Sequence, residues 1–166
     1  MTARGCRIRY GASMKDGDPI VGGCLCGSVR FEGRVPSLFC AHCHCQWCRR
    51  AHGAAFVTWV GFRDDGFRIA KGSDLVRWYA SSNESERGFC TTCGTTAFYR
   101  SKVAAGEMHV ALACVDGEID RAPKAHIFWA DHVSWFTIGD DLPKVDRDHP
   151  ALKKFQVIPK GPTTSS

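Results

Sequence analysis

Cys24-Leu-Cys-Gly-Ser-Val-Arg-Phe31 returns later in the chain as Cys90-Thr-Thr-Cys-Gly-Thr-Thr-Ala-Phe98. Each stretch carries two cysteines, a glycine directly after the second, and a strand-like run ending on an aromatic. A metal knuckle needs this order. The chain must turn tightly so that backbone N–H groups point at the sulfurs, and a glycine tolerates the left-handed backbone of such a turn. Gly27 and Gly94 stand where it falls. Two knuckles supply four thiolates, the tetrahedral set that structural zinc prefers, so Cys24, Cys26, Cys90 and Cys93 read as one structural zinc site. Its ion would close the long loop between Cys26 and Cys90 and so constrain the unfolded chain. Cys90-x-x-Cys93-Gly is the more specific half, and Cys24-x-Cys26-Gly gains weight from the repeat. Buried free thiols and a redox Cys-x-x-Cys are the competing readings. The second lacks the βαβ surroundings of a thioredoxin-like motif.

Between the knuckles lies Cys40-Ala-His-Cys-His-Cys-Gln-Trp-Cys48. In extended backbone Cys43 and Cys45 share one face, and Cys40, His42 and His44 share the other. A tight turn brings Cys48 back to the first pair. Three thiolates leave one of the four zinc positions free, as catalytic zinc sites do. An open second zinc on Cys43, Cys45 and Cys48 is therefore expected. A site closed by a histidine, a second structural zinc, and reduced thiols without metal, exposed to oxidation, remain as alternatives.

Outward from the cysteines the chain reads as mainly β, in small antiparallel sheets with one or two short helices. Strands are expected at 28–32, 54–62, 67–70, 75–80, 95–99, 108–113, 127–130 and 133–138, with Gly, Asp, Ser and Pro between them. Helices are expected near Cys48 to His52 and, more weakly, Pro150 to Phe155. Residues 1–19 read as a flexible N-terminal extension, with Met14 a candidate start. Residues 20–158 read as a single zinc domain and 159–166 as a flexible tail.

The 166 residues are 44% hydrophobic and 11% aromatic, enough for one ordinary core. Ten cysteines exceed what stability requires, and without a leader-like apolar region in the first residues a cytoplasmic, reducing location is expected. There, clustered cysteines favour metal or catalysis over disulfides. No run approaches the roughly 18 apolar residues of a membrane helix. Lys and Arg number 22 against 17 Asp and Glu, a formal charge of +5. Seven thiolates holding two zinc ions would lower it to about +2. The cations are scattered, with no basic stripe interleaved with aromatics, so no nucleic-acid partner is expected. A homodimer through exposed strand edges is left open.

Gly22-Gly-Cys-Leu-Cys-Gly-Ser-Val-Arg-Phe31, Cys43-His-Cys-Gln-Trp-Cys-Arg-Arg-Ala-His-Gly53 and Phe89-Cys-Thr-Thr-Cys-Gly-Thr95 together resemble the glutathione-dependent formaldehyde-activating enzymes, a family that includes relatives of centromere protein V. Pro123-Lys-Ala-His-Ile127 and the stretch from Trp135 to Pro143 are similar to its closing segment, so the resemblance runs from about Val21 to Pro143. It implies a zinc-stapled, tent-like β fold, a structural zinc on Cys24, Cys26, Cys90 and Cys93, and a second zinc on Cys43, Cys45 and Cys48. The implied activity is that of a carbon–sulfur lyase joining formaldehyde to the glutathione thiol as S-hydroxymethylglutathione. Cys6, Cys40 and Cys114 fall outside the shared pattern and read as incidental thiols.

Glutathione carries two carboxylates, which Arg binds best in bidentate fashion. Arg49 and Arg50, directly after Cys48, are the sequence candidates, against a reading as solvated surface charge. Trp47 and Trp59 are candidate cleft walls, against a reading as core aromatics. His52 and His44 are candidate proton relays, and His126 reads as a packing residue. An enzyme, a module that binds a thiol or other small molecule without turnover, and a structural interaction domain remain the three competing functions.

Overall fold

A computed structural model describes residues 9–10 and 14–155. Its strands are β1 (Arg9–Tyr10), β2 (Pro19–Gly23), β3 (Arg30–Arg34), β4 (Phe39–Cys43), β5 (Val57–Arg63), β6 (Arg68–Lys71), β7 (Val76–Ala80), β8 (Ser85–Cys90), β9 (Thr96–Ser101), β10 (Glu107–Ala111), β11 (Glu118–Ile119), β12 (His126–Ile127) and β13 (Lys144–Val145). One α-helix, α1 (Gln46–His52), follows β4. The protein is mainly β, as expected, with one large sheet ordered β13-β12-β4-β5-β10-β9-β8-β7 and a smaller one ordered β2-β3-β6. The pairings from β4 to β7 are antiparallel, whereas β12 runs parallel to both β4 and β13.

Strand β5 shows how the sequence builds the two-sided centre of this sheet. Its side chains alternate between faces. Val60 and Phe62 enter a core shared with Ile20, Phe31 and Phe98 beneath the small sheet. Val57 and Trp59 enter a second cluster with Cys43, Cys48, Phe128 and Leu152 on the other face. A strand buried on both faces reads as a near-continuous apolar run, which is why this stretch was conspicuous in the sequence. Burying one such large side chain contributes about 1.5–3 kcal/mol, and the cysteine-bearing segments are folded into both clusters.

Several secondary-structure expectations are corrected. Residues 133–138 form no strand; Trp135 and Phe136 are exposed, and the position beside β12 is taken by β13. The stretch expected at 127–130 is a strand only through Ile127, and Trp129–Asp131 form a 3-10 turn. The helix near Pro150 is a 3-10 turn from Pro150 to Phe155. Within the segment read as a loose extension, Arg9 and Tyr10 pair with Glu118 and Ile119, Met14 packs against the core, and Pro19 opens β2. The tail at 159–166 and Cys6 lie outside the described residues.

Candidate active site

The two knuckles form as the repeat implies. Gly27 and Gly94 both sit at φ 74°, in the left-handed region. The N–H of Gly27 donates to the Cys24 carbonyl at 3.0 Å, and that of Gly94 to the Cys90 carbonyl at 2.8 Å. Cys24 N–H reaches the Val29 carbonyl and Cys90 N–H the Thr95 carbonyl, each five residues on. The two turns are the same device with one residue added in the second. The N–H of Val29 donates to Cys24 Sγ at 3.3 Å, and the N–H of Leu25 ties the knuckles together through Thr95 Oγ1 at 3.1 Å.

The four sulfurs of Cys24, Cys26, Cys90 and Cys93 all lie within 4.8 Å of one another. Cys24 to Cys26 is 3.5 Å and Cys26 to Cys90 is 3.9 Å. Thiolates about 2.3 Å from a tetrahedral zinc stand about 3.8 Å apart, so this cluster can hold a metal ion and its soft donors suit zinc. The Cys93 thiol is pulled down to about 5, first by the Thr95 hydroxyl and then by backbone N–H groups of Thr95 and Cys26. Hydrogen bonds to a thiolate favour the charged form. Cys24 and Cys90 are buried and Cys26 is exposed, so the cluster closes the core at the protein surface.

The second cysteine set sits elsewhere and differently. Cys43 ends β4, Cys45 precedes α1, and Cys48 lies on the buried side of that helix. All three line a cavity of about 490 Å³, walled also by Trp47, Trp59, Tyr99 and Phe128. Cys40 points instead into the core, and His42 and His44 pack on His126, the separation of faces that an extended segment requires. Cys48 has Cys43 and Cys45 as neighbours that act on its thiol, but the three sulfurs are not among the donor groups that gather within 4.8 Å of one another, as those of the knuckle cluster do. The Cys48 thiol is pushed up to about 12, first by its bond with Cys43 and also by burial, with Cys45 and Arg87 pulling the other way. Cys45 is pushed up by its bond with Cys48 and by burial. Such thiols stay neutral until a cation joins them. Three soft donors thus stand around one wall of the cavity, of the kind that zinc takes.

The structure divides the residues proposed for substrate. Trp47 and Trp59 do wall the cavity. Arg49 is outside its lining and donates Nε–H to the His44 carbonyl at 3.0 Å, which ties the helix to the cysteine segment. Arg50 is exposed and outside the lining too. His52 packs edge-on against Trp59, and its Nε2 is buried without a partner. Burial holds its pKa at about 4, with Arg87 nearby adding to the effect, so it is neutral at pH 7.

Three cations that the sequence did not single out reach the cavity: Arg87, Arg147 and Lys154. Arg87 is 7% exposed. Its two terminal nitrogens donate to Cys48 Sγ at 3.6 and 3.7 Å, and its guanidinium lies over the Tyr99 ring. Arg147 pairs with Asp131 and lies over Phe128. Lys154 meets Glu107 at 2.8 Å, and Glu107 also receives His109 at 2.9 Å. Arg87 was traceable in principle, since it stands on the strand leading into Cys90.

A family model of the glutathione-dependent formaldehyde-activating enzymes matches residues 19–131. The chain belongs to that family. Both cysteine sets and β1's partner strand fall inside the matched region, whereas Asp140, Arg147 and Lys154 fall beyond it. A curated relative from Schizosaccharomyces pombe (strain 972 / ATCC 24843), named an uncharacterized lyase, is 32% identical over 80 residues, which cover 47% of this chain and 55% of the relative. The chain thus spans about half the length of that relative. A crystal structure of a Rhodobacter sphaeroides protein is similar at a TM-score of 0.48, with 24% identity over 57% of this chain and 85% of that one. No helix among the described residues is long and apolar enough to cross a membrane.

Proposed function

We propose that this family member makes and breaks the carbon–sulfur bond between a small thiol, such as glutathione, and formaldehyde or a related aldehyde, in the cavity lined by Cys43, Cys45 and Cys48. In the forward direction the thiol sulfur bonds to the carbonyl carbon, the C=O π pair moves to oxygen, and the thiol proton ends on that oxygen. The reverse is the lyase direction. The observation that carries this reading is the meeting of three cysteines and a buried arginine on one wall of a cavity large enough for a tripeptide thiol. Family membership supports the same chemistry.

Cys43, Cys45 and Cys48 would hold a zinc ion, and its positive charge would favour the thiolate form of an incoming thiol at neutral pH. Arg87 fixes Cys48 through two donated hydrogen bonds and places positive charge beside the developing negative sulfur. Trp47, Trp59 and Phe128 give the reacting end an apolar wall, which limits water and strengthens electrostatic interactions. Arg147 and Lys154, on the same lining, are placed to receive the carboxylates of the thiol's tail. Arg49, tied to the His44 carbonyl, and the exposed Arg50 lie outside that lining.

Exchange spectroscopy by NMR on glutathione and formaldehyde tests the proposal, because the adduct also forms without an enzyme. The wild type should speed interconversion well above the spontaneous rate, and Cys45→Ser should return it to background. Tight thiol binding with no acceleration would replace catalysis with the binding-module reading.

A further inference from the structure

Behind the cysteine wall lies a second donor cluster. His42 Nδ1 meets Thr58 Oγ1 at 2.8 Å. His126, fully buried, is engaged at both nitrogens: Nδ1 with His44 Nε2 at 2.9 Å and Nε2 with Asp140 Oδ1 at 2.9 Å. The backbone N–H of Leu142 also donates to that carboxylate oxygen, at 3.0 Å. Strands β4 and β12 set this arrangement, since His126 lies directly opposite His42 in their parallel pairing.

We infer that His42, His126 and Asp140 form a binding site for a first-row divalent transition metal, separate from both cysteine sets. One donor atom from each lies within 4.8 Å of the others. Ligands about 2.1 Å from an ion stand about 3.0 Å apart in adjacent octahedral positions and about 4.2 Å apart across it. The His42 and His126 rings stack with centroids 4.9 Å apart, so binding requires them to turn until their nitrogens converge on the ion. Two imidazoles and one carboxylate suit zinc, iron, cobalt or nickel and leave positions for water.

The surroundings are those of a metal site. Ligating histidines use their second nitrogen on a partner that fixes the ring. Thr58 holds Nδ1 of His42, leaving Nε2 for the ion, and His44 holds Nδ1 of His126. His44 Nδ1 is itself buried without a hydrogen-bond partner. When the ion takes Nε2 of His126, the proton there is re-sited on Nδ1 and donated to His44 Nε2, and His44 carries its own proton on Nδ1. The unpartnered nitrogen accommodates this shift of tautomers with no net loss of a proton. Phe56 and Trp129 pack around the rings. Asp140 is half-exposed, its side chain 45% accessible, and provides the entry path.

The test uses the full-length chain, treated briefly with a chelator so that it keeps only its thiolate-bound zinc, and then dialysed against Co²⁺, with total metal per chain measured beside the absorption spectrum before and after. Cobalt on thiolates gives intense near-ultraviolet charge transfer; cobalt on nitrogen and oxygen donors does not. The wild type should take up one further metal without added charge transfer. Asp140→Asn keeps an acceptor for His126 and so keeps the fold, but should weaken that uptake about 10-fold or more. His42→Ala should do the same, and Cys45→Ser should leave it unchanged. Absence of the extra metal in the wild type, or equal uptake by Asp140→Asn and His42→Ala, would overturn the inference and leave Asp140, His126 and His44 as a hydrogen-bonded latch.

Discussion

The two cysteine sets use the same donor atom for opposite ends. Cys24, Cys26, Cys90 and Cys93 are compact and turned by two glycines, and hydroxyl and N–H donors pull the Cys93 thiol down. They join β2–β3 to β8–β9 and so link the small sheet to the large one. Cys43, Cys45 and Cys48 line a cavity, the first and last of them buried, and their neighbours and burial push the Cys45 and Cys48 thiols up. One arrangement spends its ligands on closing the fold. The other leaves space beside them, and Arg87 is aimed at that space rather than at a carboxylate.

The largest effect should come from Cys90→Ser. It removes a buried ligand that closes a long loop, so a loss on the order of 5 kcal/mol or more is expected, seen in denaturant melts as a chain unfolded or nearly so. Cys45→Ser should leave the melt within about 1 kcal/mol of wild type while abolishing adduct chemistry. Equal destabilisation by both variants would break the distinction. Next comes Arg87→Met, which keeps volume but removes the two hydrogen bonds to Cys48. Zinc affinity at the second set should fall about 10- to 100-fold, by competition with a chelator, with the knuckle zinc unaffected.

A smaller effect is set by pH. His52 has its folded pKa at about 4, against 6.5 for an ordinary histidine. The unfolded chain therefore binds the proton first, and stability should fall as pH drops from about 6.5 through 4. His52→Phe, which keeps a ring against Trp59, should make that acid limb shallower in melts followed across the range. Smallest of all, Arg50→Ala should change stability by less than about 0.5 kcal/mol and leave the adduct rate alone, because its exposed side chain is outside the cavity lining.

Much of this was legible in the chain because the information was local. A glycine after each cysteine pair specifies a turn without reference to anything distant, and Val57 to Phe62 announces a buried strand by its own composition. What escaped was decided by partners. Ser85-Glu-Arg-Gly-Phe-Cys90 has little intrinsic strand preference, yet β7 and β9 pair with it on both sides and place Arg87 on the cavity wall. Val133 to Ile138 has the composition of a strand, but the place beside β12 goes to β13. Arg49 and Arg50 are next to Cys48 in sequence, but a helix turns consecutive side chains about 100° apart, and both lie outside the cavity lining. His126 was read as packing; its roles as a hydrogen-bonded centre and a donor depend on Asp140 and His44, which only the fold brings near.

Zinc per chain tests the central claim most directly, measured by elemental analysis on protein purified without chelator or added metal, for wild type and Cys45→Ser side by side with their melts. The account predicts that the variant loses one zinc and keeps its fold. A zinc content unchanged by Cys45→Ser, even after reconstitution with zinc, would contradict it, as would loss of the zinc together with the fold.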